Sequence, residues 1–157
     1  MKVIDYDSRY DEQIKDLLCE LQNHIVKIDI EKFNVIKDDF REKYFEFTME
    51  QVVKHQGKIL LLEDDGLILG LAVGLVNNDE TDNYDFKCPK RGRVSELVVS
   101  EGARGKGFGK ILLNAVEEYL YNQNCKNILI DVFAYNEKAI SFYENNGYHA
   151  RVIEMIK

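Results

Sequence analysis

Val98-Val99-Ser100-Glu101-Gly102-Ala103-Arg104-Gly105-Lys106-Gly107-Phe108-Gly109-Lys110-Ile111-Leu112-Leu113 is the stretch on which the reading of this chain turns. Its first part closes an apolar run, Arg93 to Ser100, that reads as a strand. Its last part opens a helix in which Phe108, Ile111, Leu112, Ala115, Val116 and Tyr119 share a face, while Lys110, Asn114, Glu117 and Glu118 point outward. Between them Gly105, Gly107 and Gly109 alternate. Glycines at a strand-to-helix turn let the backbone approach a ligand and leave the first helical N–H groups unobstructed, with the positive end of the helix dipole behind them. Such a turn binds phosphate or pyrophosphate. Arg104, Lys106 and Lys110 concentrate positive charge there, although the chain as a whole carries 28 acidic against 21 basic residues and a net charge of −7.

The common phosphate motifs do not fit. In a G-x-G-x-x-G register counted from Gly105, Lys110 stands where the third glycine belongs. In a P-loop register, Ile111 follows Gly109-Lys110 in place of Ser or Thr, and Arg104 takes the first glycine position.

Downstream, Ile128 to Ala134 is a strand with Asp131 as its one charge. So apolar a run suits a parallel strand covered on both faces. Asn136 is a helix N-cap, Ala139, Ile140 and Tyr143 share the face of that helix, and Gly147 follows it as a C′ residue. Tyr148 to Ile156 reads as a last strand. Upstream, Lys2 to Tyr6 alternates as a short strand, and Ile14, Leu17, Leu18, Leu21 and Ile25 mark a helix. Asp38-Asp39 caps a second helix bearing Phe40, Tyr44, Phe45, Met49, Val52 and Val53. Lys58 to Glu63, a turn at Asp64-Asp65-Gly66, and Leu67 to Val76 form a hairpin. Gly70 and Gly74 within its second strand indicate a bulge or a close approach. The segment from Asn77 to Arg91 is a polar loop facing substrate. The expected order is β-α-α-β-β-β-α-β-α-β, an α/β fold in one domain over residues 1–157, with a mixed sheet, a parallel β-α-β core and helices on both faces.

Two motifs carry a family resemblance. Arg104-Gly105-Lys106-Gly107-Phe108-Gly109 is complete for Arg/Gln-x-x-Gly-x-Gly/Ala, and Asn136, Ala139, Phe142-Tyr143 and Gly147-Tyr148 complete Asn-x-x-Ala-x-x-Phe-Tyr-x-x-x-Gly-Tyr/Phe. On these residues, and most closely over Leu67 to Tyr148, the chain resembles the GNAT superfamily of acyl-CoA-dependent N-acetyltransferases. The resemblance implies acetyl-CoA as co-substrate, no metal, and transfer to a primary amine of a small molecule or peptide by direct attack in a ternary complex. It implies that amides from Arg104, Gly105, Lys106, Gly107, Gly109 and Lys110 hold the pyrophosphate, and that Leu97, Val98 and Val99 pair with the pantetheine arm as an added strand would. Asn136 then contacts pantetheine, and Tyr143 lies by the thioester sulfur as the proton donor. The strands carrying Val99 and Ile130 splay to admit the arm, and a final strand common in the family is absent here or supplied differently.

Glu96, beside the pantetheine-binding residues, is the candidate base. Asp38, Asp39, Asp79, Glu80, Asp82 and Asp85 would attract a cationic acceptor, and Tyr44, Phe45, Tyr84 and Phe86 would pack on its carbon chain. The alternative is a coenzyme-A-binding sensor of the same fold that has lost activity. The acidic balance argues against nucleic acid as a partner. No apolar run reaches the length of a membrane span, and the N-terminus lacks a signal-peptide core. Cys19, Cys88 and Cys125 lack CxxC spacing and suit a reducing, cytoplasmic location. A homodimer is left open.

Overall fold

The computed structural model describes residues 1–77 and 89–157. Its elements follow the expected order up to the last: β1 (Lys2–Asp5), α1 (Asp11–Ile28), α2 (Phe40–Lys54), β2 (Lys58–Asp64), β3 (Leu67–Asn77), β4 (Arg91–Val99), α3 (Phe108–Asn122), β5 (Asn127–Leu129) and α4 (Glu137–Glu144). The strands lie side by side in sequence order, β1 to β4 antiparallel and β5 parallel to β4. The β2–β3 hairpin turns through Asp65 and Gly66, both at positive φ, as a two-residue turn matched to strand twist requires.

Both faces of the sheet are covered, which explains the unbroken apolar runs. Ile59 and Leu61 of β2 and Leu71, Val73 and Leu75 of β3 face α1 through Ile14, Leu17 and Leu18. The intervening Leu60, Leu62, Ala72 and Val76 face Leu112, Leu113, Val116 and Leu120 of α3. Each such large aliphatic side chain contributes about 1.5–3 kcal/mol on burial. Gly74 has no side chain because α3 lies against its backbone: a Cβ there would stand 2.6 Å from Val116 Cγ2. A Cβ on Gly70 would meet the Val98 carbonyl oxygen at 2.6 Å, so both glycines mark close approach.

Two irregularities matter more than the regular ladder. Across β3 and β4, Val73 pairs with Glu96 and Gly74 with Val94, so Ser95 is an extra residue, a β-bulge. The bulge reverses the alternation: Val94 belongs to the α3 face, whereas Val98 belongs to the α1 face. Leu97 and Val99 are thereby turned toward α3. A second bulge, at Leu69, shifts β3 against β2.

Several expectations are corrected. The strand read as Ile128 to Ala134 is paired only over Asn127–Leu129. Tyr148 to Ile156 forms no strand, and Val152, Ile153 and Met155 are largely exposed. Strand propensity needs a ladder partner to become a strand, and among the described residues nothing pairs with this segment. Asp39 precedes α2 but its carboxylate caps no backbone N–H; it is drawn instead to Lys43 one turn on. Val53 of α2 and Ile111 of α3 are exposed, and α3 buries Leu113 and Leu120 beside the expected Leu112 and Val116. The expected acceptor-loop residues Asp79, Glu80, Asp82, Tyr84, Asp85 and Phe86, and Cys88, lie outside the described residues. Among the described residues no helix is long and apolar enough to cross a membrane.

Candidate active site

The glycine turn has the local geometry its sequence calls for. Gly105 and Gly107 adopt φ of 77° and 80°, and Gly107 is the N-cap of α3. The space where a Cβ of either would stand is open to 4 Å. The first backbone donors returned to the helix are those of Lys110 and Ile111, which both reach the Gly107 carbonyl. Among the described residues the N–H groups of Gly105, Lys106, Gly107, Phe108 and Gly109 have no such acceptor. They form a run of donors at the positive end of a 15-residue helix. Lys106 and Lys110 are exposed beside it. The Arg104 guanidinium is directed elsewhere: it donates to the Val99 carbonyl at 2.9 Å and pairs with Glu20 of α1 at 2.5 Å. It braces the turn against the end of β4, while the Arg104 N–H is taken by the Glu101 carbonyl at 3.3 Å and that of Lys110 by Gly107 at 3.1 Å, so the expected amide donors narrow to residues 105–109.

Beside the turn, the parallel pairing of β4 with β5 ends at Arg93 and Leu129. From Val94 to Val99 the β5-side edge of β4 therefore has no strand partner among the described residues. Arg93 is tied across this divergence to Asp131. On the α3 side, Leu97, Val99, Phe108, Phe142, Tyr143 and Tyr148 pack into one cluster. Phe142 comes close to Gly109, where a Cβ would stand 3.6 Å from its Cζ. The Tyr143 ring meets Phe142 and Tyr148 edge-on at 5.2 and 5.7 Å. Burial pushes its phenol up to about 12, so it is protonated throughout the physiological range. Asn136 caps α4 with its side-chain oxygen on the Ala139 N–H, which leaves its amide NH2 as the outward group.

Glu96 faces the other way. The bulge at Ser95 aims it to the α2 side, where it is 9% exposed and accepts a 2.7 Å hydrogen bond from the Tyr44 hydroxyl. Burial raises its carboxyl to about 7, and the Tyr44 hydrogen bond pulls in the opposite direction. It lines a cleft of about 190 Å³ with Phe47, Thr48, Gln51, Val73, Leu75 and Ser95. A larger, open cleft of about 550 Å³ by β1 shares no residue with these groups. The structure thus separates the sequence-selected residues across one strand: Leu97, Val99 and Tyr143 on the α3 side, Glu96 on the α2 side, and Val98 as a core residue whose backbone alone is free to serve a ligand.

The profile of the acetyltransferase (GNAT) family matches residues 22–148, from α1 through the second motif. The chain belongs to the GNAT family. Among curated relatives of this GNAT protein is an uncharacterized N-acetyltransferase, YhfO, of Bacillus subtilis, 30% identical over 106 residues. The match takes in 65% of each protein, so the chain covers just under two thirds of that relative's length. A mutant of the BH1408 protein from Bacillus halodurans has the same fold, with a TM-score of 0.86 at 20% identity over 100% of this chain and 98% of that one. The aminoglycoside-modifying AAC(6')-Iy, solved with the bisubstrate analog CoA-S-monomethyl-acetylneamine, aligns with a TM-score of 0.72 at 18% identity over 99% and 97% of the two chains. The family match over residues 22–148 bears out the resemblance that both motifs carried.

Sequence reasoning missed Tyr44 as the partner of Glu96, together with Phe47, Thr48, Gln51 and Ser95 of the cleft. The helical spacing of Tyr44, Phe47, Thr48 and Gln51 was legible as one face. That this face meets Glu96 follows from the bulge, for which a serine gives no signal.

Proposed function

We propose that this GNAT protein moves an acetyl group from acetyl-CoA to a primary amine of a small molecule or peptide, by direct attack in a ternary complex. The observation that carries the proposal is the open β4 edge at Leu97 to Val99, flanked at one end by the free amides of the glycine turn and backed on its far face by Glu96. The open space at Gly105 and Gly107 fits a pyrophosphate, since an L side chain would stand where the phosphate oxygens approach.

In this reading the amides of residues 105–109 hold the pyrophosphate, with Lys106 and Lys110 adding charge. The Leu97–Val99 edge pairs with the pantetheine arm, and the Asn136 side-chain amide contacts it. When bound, acetyl-CoA supplies the acyl carbon and a thiolate leaving group. The amine must be neutral to attack, and Glu96, titrating near 7, accepts its proton directly or through one water. A backbone N–H of β4 stabilises the oxyanion as the new C–N bond forms. As the C–S bond breaks, the Tyr143 hydroxyl offers its proton to the sulfur. With a phenol near 12 against a thiol near 8.5, full transfer is uphill in water, so Tyr143 acts chiefly as a hydrogen-bond donor to developing thiolate. The cleft beside Glu96 is small and mostly uncharged, which suits the reacting end of an amine.

Calorimetric titration with acetyl-CoA, against NAD and ATP as controls, tests the donor site. Thiol release is then followed with spermidine, neamine, glucosamine 6-phosphate and a short peptide bearing a free N-terminus. Selective acetyl-CoA binding with turnover of one of these supports the proposal. Selective binding with no thiol release from any amine favours the coenzyme-A sensor, and no binding by folded protein refutes the donor site.

A further inference from the structure

We propose that Tyr44 is a positioning residue that holds the Glu96 carboxylate by one oxygen and leaves the other for the amine, an inference that rests on Glu96 acting as the base. Tyr44 lies 52 residues earlier in the chain, in the second turn of α2. Its ring is fixed on both sides. It stacks on Phe40 with centroids 4.8 Å apart and planes 15° apart, and it tilts against Phe47 at 6.1 Å. The Thr48 hydroxyl donates to the Tyr44 carbonyl at 2.8 Å, tying the cleft wall to the same turn. With the ring so held, the hydroxyl has one direction, and it donates to Glu96 Oε1 at 2.7 Å. No other hydrogen bond to Glu96 comes from the described residues, so Oε2 is the oxygen left to the cleft.

Phe at position 44 would fill nearly the same volume. The hydroxyl is therefore explained by its partner, not by packing. A hydrogen bond from a neutral donor to a carboxylate favours the charged form. From α2 the cleft presents Phe47, Thr48 and Gln51, from β3 Val73 and Leu75, and from β4 Ser95, none of them charged. Among the described residues Tyr44 is the titratable group that bears on Glu96: burial raises its carboxyl and the Tyr44 hydrogen bond lowers it. Without the hydroxyl, Glu96 would be protonated over more of the neutral range and unable to accept a proton. Tyr44 thus sets both the direction and the working pH of the base.

The test needs no acceptor. Carboxyl ¹³C NMR on protein labelled at glutamate, with Glu96 assigned through Glu96→Gln, follows the titration directly. Wild type should titrate near pH 7, and Tyr44→Phe about one pH unit higher, the scale expected for losing a hydrogen bond to a charged group. An unmoved midpoint in folded Tyr44→Phe would overturn the proposal. If Tyr44→Phe does not fold, wild type grown with 3-fluorotyrosine serves instead: the more acidic phenol donates more strongly, so the Glu96 midpoint should fall. An unchanged midpoint there likewise overturns it. The base assignment fails separately, if Glu96→Gln turns over an amine from the panel at the wild-type rate, whatever the NMR midpoint does.

Discussion

Glu96→Gln should stabilise this protein at alkaline pH, and the size of the effect follows from its surroundings. The carboxyl is 9% exposed, and burial raises it from 4.5 to about 7. A group whose folded value lies above its unfolded value adds stability in full below the unfolded value, and that contribution is lost as pH rises to the folded one. For Glu96 the loss runs from about pH 4.5 to about pH 7. The displacement from 4.5 to about 7, at about 1.36 kcal/mol per pH unit, amounts to about 3 kcal/mol, most of which falls between pH 5 and 8. Groups with lowered values, Asp29, Asp39, Glu12 and Glu42, act below this window and with the opposite sign. Glutamine keeps an acceptor for the Tyr44 hydroxyl and cannot ionise, so it isolates the charge. Urea unfolding of wild type and Glu96→Gln at pH 5, 6, 7 and 8 is the assay. The variant should gain on wild type by about 2–3 kcal/mol between the lowest and highest pH. Parallel curves would refute the reasoning, because they would mean that Glu96 does not carry a buried charge at pH 8.

Gly107→Ala places a Cβ at φ 80° in open space, so the free protein should lose only about 1–2 kcal/mol from the left-handed backbone, while acetyl-CoA affinity in calorimetry should fall at least about tenfold. Loss of stability without loss of affinity would remove the pyrophosphate assignment. Gly74→Val puts atoms against Val116 and Leu120 beneath α3 and should cost about 1–3 kcal/mol in a denaturant melt, with the unfolding midpoint lowered. A neutral result would mean that α3 yields freely there. Tyr143→Phe keeps the edge-on contacts with Phe142 and Tyr148, so acetyl-CoA binding should be unchanged while kcat falls roughly 10- to 100-fold, the scale of one hydrogen bond to a developing charge. An unaltered kcat would leave Tyr143 as a packing residue.

Much of the donor side was legible from residue order. Glycines at alternate positions between an apolar strand and an amphipathic helix allow few backbones, and the structure has both Gly105 and Gly107 at positive φ with the helix starting at Phe108. The Asn136 cap and the left-handed Gly147 were equally local. What failed was non-local. Tyr148 to Ile156 has the composition of a strand, yet β5 offers a ladder of only three residues and the segment stays unpaired. Val53 and Ile111 fit an apolar period but remain exposed among the described residues.

The sequence by itself determined the element order as far as α4, the glycine turn and the family, because these rest on interactions within a few residues of one another. The tertiary structure alone decided which side of β4 each residue serves. Alternation would put Val94, Glu96 and Val98 on one face; the bulge at Ser95 parts them and delivers Glu96 to Tyr44. A bulge arises from the register of two strands and the packing of helices on both faces, energies shared over many residues, so no single residue announces it.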